Sequence, residues 1–457
     1  MEPFEYTLSE ASRLIHNGEL SPTELAESLF QRIDELEPKL KAWVTINKEG
    51  VMATADQYSK EAEKKNFRGP LHGIPVGVKD IFFTAGLRTT AGSKILADFV
   101  PSFDSTAVAN LKVAGAIILG KTETTEFAYL DPAPTRNPWN LEHTPGGSSS
   151  GSAAAVSSGM CAAALGSQTG GSVIRPAAYC GIVGLKPTYG RISRHGVVPC
   201  SWSLDHVGVL ARTVEDAAML LEILAGHDLN DTSSSTLPVP SYSKSLAKVS
   251  PPRLVRLGEF FQDKAEEAVR NCTEQAVRKL GESGAEVIRR QLPGSFTSVL
   301  AAHRIMLTVE AAAFHQKNFH TRMMDYRPLL RSTIAAGLLT PASTYLRAKR
   351  IKSRFTREVL ALLQGSDCLL TPATTTPAPR GLESTGDPAF NLPWSFCGFP
   401  SITVPSGLTE RGLPLGIQLV ARPFDEETLL SVARWCEKVL CFRHEPHNPR
   451  LPTNGPG

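Results

Sequence analysis

The chain has little excess charge and no long apolar run. Only 20% of its 457 residues are Asp, Glu, Lys or Arg, and the formal net charge at pH 7 is +3. This balance gives no basis for a nucleic-acid partner, so none is expected. No apolar stretch reaches the length of a membrane-spanning helix, and the first residues lack the basic and apolar parts of a signal peptide. We expect a cytoplasmic protein without membrane contact.

Patterns typical of metal sites are also missing. The eight cysteines include no C-x-x-C pair, and the eleven histidines show no spacing typical of metal ligands. Reduced and mostly inert thiols are therefore expected. Neither a metal nor an organic cofactor is implied.

Two clusters of serine and glycine are the most informative part of the sequence. They span residues 146–152 and 166–172 and flank a run of small residues. A serine attacks a carbonyl only when a base activates it and fixed donors stabilise the oxyanion that forms. Ser172 follows two glycines whose N–H groups could be such donors, and Ser148 provides a second hydroxyl. Neither cluster contains a base.

Lys79 is the candidate base. A short apolar run over residues 74–78 precedes it and predicts a strand that ends at the lysine. Burial lowers the pKa of an amine because it disfavours the charged form, so a buried lysine can accept a proton near neutral pH. For so short a pattern, a surface lysine beside a buried strand is the alternative.

Taken together, these segments resemble the amidase signature family, whose members cleave amide bonds with a Ser–cis-Ser–Lys triad. The separation of 24 residues between Ser148 and Ser172 also matches the family. The matching segments are residues 77–80, 145–149, 169–172, 176–187, 213–216, 389–391 and 412–418. The resemblance covers nearly the whole chain and implies an α/β fold, a large mixed twisted β-sheet covered by helices on both faces.

The resemblance also implies roles for individual residues. Ser172 is the expected nucleophile, Ser148 the bridging serine after a cis Gly147–Ser148 bond, and Lys79 the ultimate base. The expected oxyanion hole consists of the backbone N–H groups of Thr169, Gly170, Gly171 and Ser172. The reaction implied is transfer of an acyl group to water.

The sequence departs from the commonest family pattern in three places. Ser150 stands where many members have glycine, and Gln168 replaces a frequent aspartate. An arginine often found two residues after the nucleophile lies three residues after it, at Arg175. Some relatives hold a substrate carboxylate with an arginine in this region. A structural ion pair beneath the active-site loop is the alternative for Arg175.

The substrate is less defined than the chemistry. Aromatic residues in loops that flank the family's active-site segments are candidates for the wall of the pocket: Tyr129, Trp202, Trp394 and Phe396. An aromatic residue of the core is the alternative for each, and Arg175 is a further candidate for substrate binding. Aromatic walls favour small aryl or alkyl amides, with carbamates and esters as further candidates. We expect a small-molecule substrate and a monomer or homodimer.

Alternative interpretations come from other motifs. The first alternative is the glutamine-hydrolysing subunit of a tRNA-dependent amidotransferase complex; against it, residues 126–138 are shorter than in such subunits and lack a serine-rich part. The second is an α/β-hydrolase with Ser149 as nucleophile, because residues 147–151 match G-x-S-x-G. No apolar strand precedes that motif.

Residues 115–122 match the sequence pattern of a phosphate-binding loop. Their context instead predicts the end of a helix followed by a buried strand, which disfavours nucleotide binding.

The chain is expected to form a single domain over residues 1–457. Its predicted parts are an N-terminal helical region at about 1–65, an exposed linker at about 231–252, a helical substrate-pocket region at about 300–363 and a loose tail at about 443–457. Residues 254–257, 265–280 and 286–288 predict a strand–helix–strand unit.

Overall fold

The computed structural model of the protein describes residues 2–247 and 250–446. The strands are β1 (Trp43–Ile46), β2 (Pro75–Lys79), β3 (Ile117–Thr122), β4 (Ala163–Gln168), β5 (Val183–Lys186), β6 (His206–Ala211), β7 (Arg253–Leu257), β8 (Glu286–Arg290), β9 (Cys368–Pro372), β10 (Ser401–Leu408) and β11 (Pro414–Val420). The helices are α1 (Leu8–Asn17), α2 (Pro22–Leu40), α3 (Lys48–Glu63), α4 (Thr106–Val113), α5 (Ser150–Ser157), α6 (Ile174–Tyr179), α7 (Val214–Leu224), α8 (Tyr242–Ser245), α9 (Phe260–Asp263), α10 (Glu267–Glu282), α11 (Val299–Arg322), α12 (Pro328–Leu338), α13 (Ala342–Leu362), α14 (Leu392–Cys397) and α15 (Glu426–Leu440).

The strands form one sheet with the order β1-β3-β2-β4-β6-β5-β10-β11-β9-β7-β8. β2 lies between β3 and β4 and is parallel to both, whereas β4 and β6 are antiparallel. Near the other edge, β7 is parallel to both β8 and β9. The predicted large mixed sheet is confirmed.

Side chains that alternate along the strands enter different hydrophobic clusters. Leu165 and Leu370 belong to one cluster, whereas their neighbours Ala164 and Leu369 belong to two others. Because successive residues of a strand point to opposite faces, both faces of the sheet are packed against other elements. The segments that carry the predicted catalytic residues therefore follow strands that are packed on both faces.

Local sequence rules explain the ends of the first helices. The hydroxyl of Thr7 accepts from the N–H of Glu10, and the carboxylate of Glu10 accepts from the N–H of Thr7, which is a capping box at the start of α1. Gly18 ends the same helix with a φ of 76°, a conformation that glycine adopts at little cost. Ser21 and Glu24 repeat the capping box at the start of α2.

The predicted strand–helix–strand unit is confirmed as β7, α10 and β8, with two parallel strands joined by the helix. The phosphate-loop match also has the predicted structure, because α4 ends before it and β3 forms within it. Lys121 of that motif is completely buried, and its Nζ donates to the carbonyl of Phe82 and, at 2.9 Å, to the hydroxyl of Thr89. The amine of Lys121 therefore donates its hydrogen bonds to other residues of the protein.

The structure places the following elements in the predicted segments. The region at 1–65 contains α1–α3 and also the strand β1, and the region at 300–363 contains α11–α13. The linker at 231–252 is exposed over residues 236–239, but Tyr242 is buried and its hydroxyl accepts from Nε of Arg191. Most of the tail at 443–457 lies outside the described residues. Within residues 2–247 and 250–446, no helix is both long and apolar enough to cross a membrane.

Candidate active site

Lys79 is the last residue of β2, and its side chain is completely buried between neighbouring strands. Its Nζ donates to Oγ of Ser148 at 2.7 Å and to Oγ of Ser167 at 2.8 Å. Burial lowers the pKa of the Lys79 amine to about 7, against smaller opposing effects of Cys200 and Asp205. The alternative of a surface lysine is therefore excluded, and a large part of the amine is neutral near pH 7.

Ser148 lies in the turn before α5. The Gly147–Ser148 peptide bond is cis, as the resemblance implies. The carbonyl of Ser148 accepts from the N–H of Thr125 at 3.3 Å, and the carbonyl of Gly147 accepts from Nη2 of Arg175 at 2.7 Å. Hydrogen bonds to the carbonyls of Gly147 and Ser148 thus fix the backbone around Ser148, whose hydroxyl contacts Lys79.

Ser172 lies between β4 and α6, with 9% of its surface exposed. Its carbonyl accepts from the N–H of Ser149 at 3.4 Å, so the two serine–glycine clusters are in direct contact. Among the described residues, the N–H groups of Thr169, Gly170, Gly171 and Ser172 have no backbone acceptor. The geometry leaves these donors available for a developing oxyanion.

Gln168 shapes this loop. Its Oε1 accepts from the N–H groups of Val173 and Ile174 at 2.8 and 3.0 Å, and its Nε2 donates to the hydroxyl of Ser395 at 3.0 Å. The same hydroxyl donates to the carbonyl of Gly170 at 2.7 Å. The glutamine that replaces the common aspartate therefore fixes the loop on both sides of Ser172.

Two further groups hold Thr169. Its hydroxyl donates to Oδ1 of Asp205 at 2.5 Å, and its carbonyl contacts Nε2 of His303, on α11, at 2.9 Å. Burial lowers the pKa of His303 to about 4, so its ring is neutral near pH 7 and donates from Nε2 to this carbonyl. The carbonyls on this loop are thereby paired while its N–H groups stay free.

Ser149, the nucleophile of the α/β-hydrolase alternative, has a different environment. Its side chain is completely buried, and its Oγ lies 3.3 Å from both the N–H and the carbonyl of Ser167. A loop, and no strand, precedes it from residue 137 onward. The strand–turn–helix context of a nucleophile elbow is absent here.

Arg175 is nearly completely buried, and it forms no ion pair with any described residue. Besides the carbonyl of Gly147, its Nη2 contacts the hydroxyl of Thr385 at 3.0 Å. Its Nε and Nη1 are buried without a hydrogen-bond partner within the described residues. The alternative of a structural ion pair therefore does not hold, and the guanidinium contacts the segment that carries Ser148.

A cavity of about 300 Å³ lies beside Ser167. Cys200, Trp202 and Asp205 are among its lining residues. Trp202 is 48% exposed, as expected for a residue at the mouth of a pocket. The hydroxyl of Tyr129 donates to the carbonyl of Cys200, so Tyr129 supports this wall from behind.

The other two aromatic candidates lie deeper. Trp394 is completely buried in a hydrophobic cluster, and its ring stacks at 6.2 Å from that of Phe261. Phe396 belongs to the same cluster, with its ring 6.1 Å from that of His303. Neither lines the cavity that Trp202 borders.

A family model described as Amidase matches residues 24–430. The chain belongs to the amidase family. This amidase is 37% identical to a glutamyl-tRNA(Gln) amidotransferase subunit of Geobacter metallireducens, over 97% of the chain and 99% of that relative. The solved glutamyl-tRNA(Gln) amidotransferase subunit of Thermotoga maritima has a TM-score of 0.81 at 32% identity, covering 96% of this chain and 95% of that one. The native peptide amidase of Stenotrophomonas maltophilia has a TM-score of 0.84 at 31% identity, covering 97% and 99%.

Membership makes this amidase an enzyme that acts on carbon–nitrogen bonds of amides other than peptide bonds. The prediction about partners is wrong. Curated relatives across nearly the full length are named as one subunit of a larger enzyme, and that enzyme acts on glutamyl-tRNA(Gln). This contradicts a small-molecule substrate alone, the absence of nucleic acid, and a monomer or homodimer. The physical reason for the error is that net charge averages over the chain and conceals how the charges are distributed.

Sequence reasoning missed three residues of this amidase's site. Ser167 was within reach, because it belongs to the second serine–glycine cluster and β4 pairs in parallel with β2. Asp205 and His303 had no usable signal, since each contacts Thr169 only through tertiary packing.

Proposed function

We propose that this amidase hydrolyses the side-chain amide of glutamine as one subunit of a tRNA-dependent amidotransferase. The observation that carries the chemistry is the buried Lys79 amine, 2.7 Å from the hydroxyl of Ser148 and with its pKa lowered to about 7. The names of relatives that match 97% of the chain support the choice of glutamine and tRNA.

The proposed reaction begins with neutral Lys79. Its Nζ takes the proton of Ser148, and Ser148 takes the proton of Ser172 as Oγ of Ser172 bonds to the amide carbon. The N–H groups of residues 169–172 stabilise the negative oxygen of the tetrahedral intermediate. The carbon–nitrogen bond then breaks, the relay returns the proton to nitrogen, and ammonia leaves. Water resolves the acyl-enzyme by the same relay and releases glutamate.

Ser167 gives Lys79 a second acceptor, and this matters for the direction of proton transfer. A neutral amine has one lone pair, which it must aim at Ser148 in order to accept a proton. The bond to Ser167 at 2.8 Å uses an N–H of the same amine and so limits its rotation. Ser167 is therefore a positioning residue in this proposal.

The short stretch between residues 126 and 138 is compatible with a role as such a subunit. The loss is local, since the alignment spans 97% of this chain and 99% of the Geobacter relative. The stretch is well packed here, with Phe127 buried and the hydroxyl of Thr125 donating to the carbonyl of Tyr129 at 2.7 Å. A missing serine-rich part changes this packed stretch but none of the residues that hydrogen-bond to Lys79.

The test measures ammonia and glutamate released from glutamine by the purified chain, with Ser172→Ala as the inactive control. The nitrogen of ¹⁵N-amide glutamine should appear in glutamyl-tRNA(Gln) when the chain replaces its homologous subunit in the reconstituted amidotransferase of a relative. Rapid cleavage of aryl amides without any release of ammonia from glutamine would contradict the proposal.

Arg175 has two possible roles within this function, and one experiment separates them. If Arg175 binds the carboxylate of glutamine, Arg175→Lys lowers kcat/KM for glutamine and leaves an amide without a carboxylate unaffected. If it positions Ser148 through the carbonyl of Gly147, both substrates lose the same factor. The bond of 2.7 Å to Gly147 and the burial of the guanidinium favour the positioning role.

A further inference from the structure

The positive charge of this chain is concentrated in the helices α11–α13. Residues 299–362 contain 11 Lys and Arg but only 3 Asp and Glu, whereas the remaining residues contain 37 Lys and Arg and 42 Asp and Glu. One of the three acids, Glu310, is buried. A region of net charge +8 therefore lies on a chain that is otherwise negative, although the total is only +3.

Within this region, α13 presents four arginines on one line, which we call the arginine stripe: Arg347, Arg350, Arg354 and Arg357. All four are exposed. Their spacing of three, four and three residues places them within about 80° of the helix circumference and about 15 Å of rise. The buried face of the helix, with Ala348, Phe355 and Val359, lies on a different side.

The stripe is largely free of counter-charges. Arg354 pairs with Glu358 at 2.8 Å, but Arg347, Arg350 and Arg357 have no ion-pair partner in the part of the chain that the structure describes. Ser343 and Ala361 continue the same line at its two ends, and both are small and exposed. The stripe thus contains no large apolar side chain.

The opposite side of α13 reaches the candidate active site. Nζ of Lys352 donates to the carbonyl of Ser203 at 2.8 Å, and the hydroxyl of Tyr345 donates to Glu310 at 2.7 Å. Glu310 also accepts from the N–H of Ser203 at 3.0 Å, within the loop that leads to Asp205. The helix is therefore fixed to the loop that holds Thr169, while its arginines face away from it.

We propose that the arginine stripe binds the phosphate backbone of tRNA, and this inference rests on the proposed function. Guanidinium groups match phosphate oxygens in geometry and remain charged at every relevant pH. Protein–protein interfaces are enriched in arginine, but also in aromatic side chains and methionine, and the stripe lacks both of these. A line of unpaired arginines is typical of surfaces that bind a nucleic-acid backbone.

The experiment uses the full chain, a tRNA(Gln) transcript as probe, and a variant with Arg347, Arg350 and Arg357 changed to Gln. Arg13, Arg88 and Arg411, three exposed arginines in other segments, are changed to Gln in the matched control. Binding is measured at several salt concentrations, and melting temperatures verify that both variants fold. The stripe variant should lose on the order of 100-fold in affinity near 0.15 M salt, and its salt slope should fall by about two to three. The control should lose much less.

Three results would overturn the inference. They are no binding of tRNA by the unchanged chain, equal losses in both variants, and stripe-dependent binding of polyglutamate that is tighter than that of tRNA, which would assign the stripe to an acidic protein. Hydrolysis of glutamine by the unchanged chain is measured separately. If hydrolysis is present without tRNA binding, only this inference fails; if glutamine is not hydrolysed, the proposed function fails whatever the binding result.

Discussion

The sheet around Lys79 and the helices α11–α13 place their charged groups in different ways. Lys79, Lys121 and Lys186 end or lie within strands and are completely buried, and burial lowers the pKa of each amine, to about 7, 8 and 7. In the helices α11–α13, most of the Lys and Arg side chains are exposed to water. Burial turns a lysine into a possible base, whereas exposure leaves arginines as lasting charges for a partner.

Within the sheet, the three buried lysines share one electrostatic property and differ in their partners. Lys121 and Lys186 donate to backbone carbonyls, of Phe82 and Phe399 respectively, and Lys121 also donates to the hydroxyl of Thr89. Within residues 2–247 and 250–446, Lys79 has hydrogen bonds to hydroxyl groups only, and a hydroxyl can give up a proton. A lowered pKa alone therefore does not identify the base; the atoms within hydrogen-bond distance do.

The largest expected effect separates Lys79 from Lys121. Lys79→Ala should lower kcat by about 10⁴-fold or more, and Lys79→Arg should be nearly as damaging because a guanidinium cannot release its proton. Lys121→Met should lower the melting temperature while kcat per folded molecule stays within about tenfold. Steady-state kinetics with glutamine measure both. An active Lys79→Arg variant would show that Lys79 is a structural cation.

The pH dependence of the rate tests whether neutral Lys79 is the base. Lys79 has a pKa of about 7, so below that value its amine is protonated and cannot accept a proton. The rate should rise by about tenfold per pH unit up to about pH 6, more slowly through pH 7, and level off above it. Since the charge of Asp205 raises the pKa of Lys79, Asp205→Asn should shift the midpoint to lower pH. A midpoint that moves upward in this variant would contradict the assignment.

A third prediction concerns Glu310, which connects the helices α11 and α13 to the loop before Asp205. Glu310 accepts hydrogen bonds from Ser201, Ser203 and Tyr345, and glutamine at this position replaces one acceptor oxygen with a donor. Glu310→Gln should reduce the free energy of unfolding by about 2 kcal/mol. Asp325→Asn, in an exposed pair with Arg322, is the control and should change it by at most about 0.5 kcal/mol. Thermal melting of both variants provides the measurement.

The smallest expected effect concerns Ser167. Ser167→Ala removes one of the two hydroxyl groups that contact Lys79, and a single hydrogen bond of this kind corresponds to about 1 kcal/mol, or roughly fivefold in kcat. Ser149→Ala nearby removes a hydroxyl that does not contact Lys79. A greater loss of kcat in Ser149→Ala than in Ser167→Ala would contradict the positioning role of Ser167.

The motif residues could be found from sequence because each is tied to a local pattern. The apolar run before Lys79 predicts a strand end, and the glycines around Ser148 and Ser172 predict tight turns with free N–H groups. The positions of Trp202 and Trp394 could not be distinguished in this way. Both lie in loops near matching segments, yet one is half-exposed beside the cavity and the other is packed on Phe261.

The sequence by itself determined the mixed α/β fold, the family and the residue types at the candidate site, since strand periodicity, turn glycines and motif spacing are local properties. The tertiary structure decided the rest. It brought Asp205 and His303 to the catalytic loop from distant segments, it placed Lys79 against Ser167, and it buried Lys79 so that its pKa falls. It also packed α13 through its opposite side, so that the face with the arginines is exposed. Proximity and burial depend on how segments pack, and no local pattern contains that information.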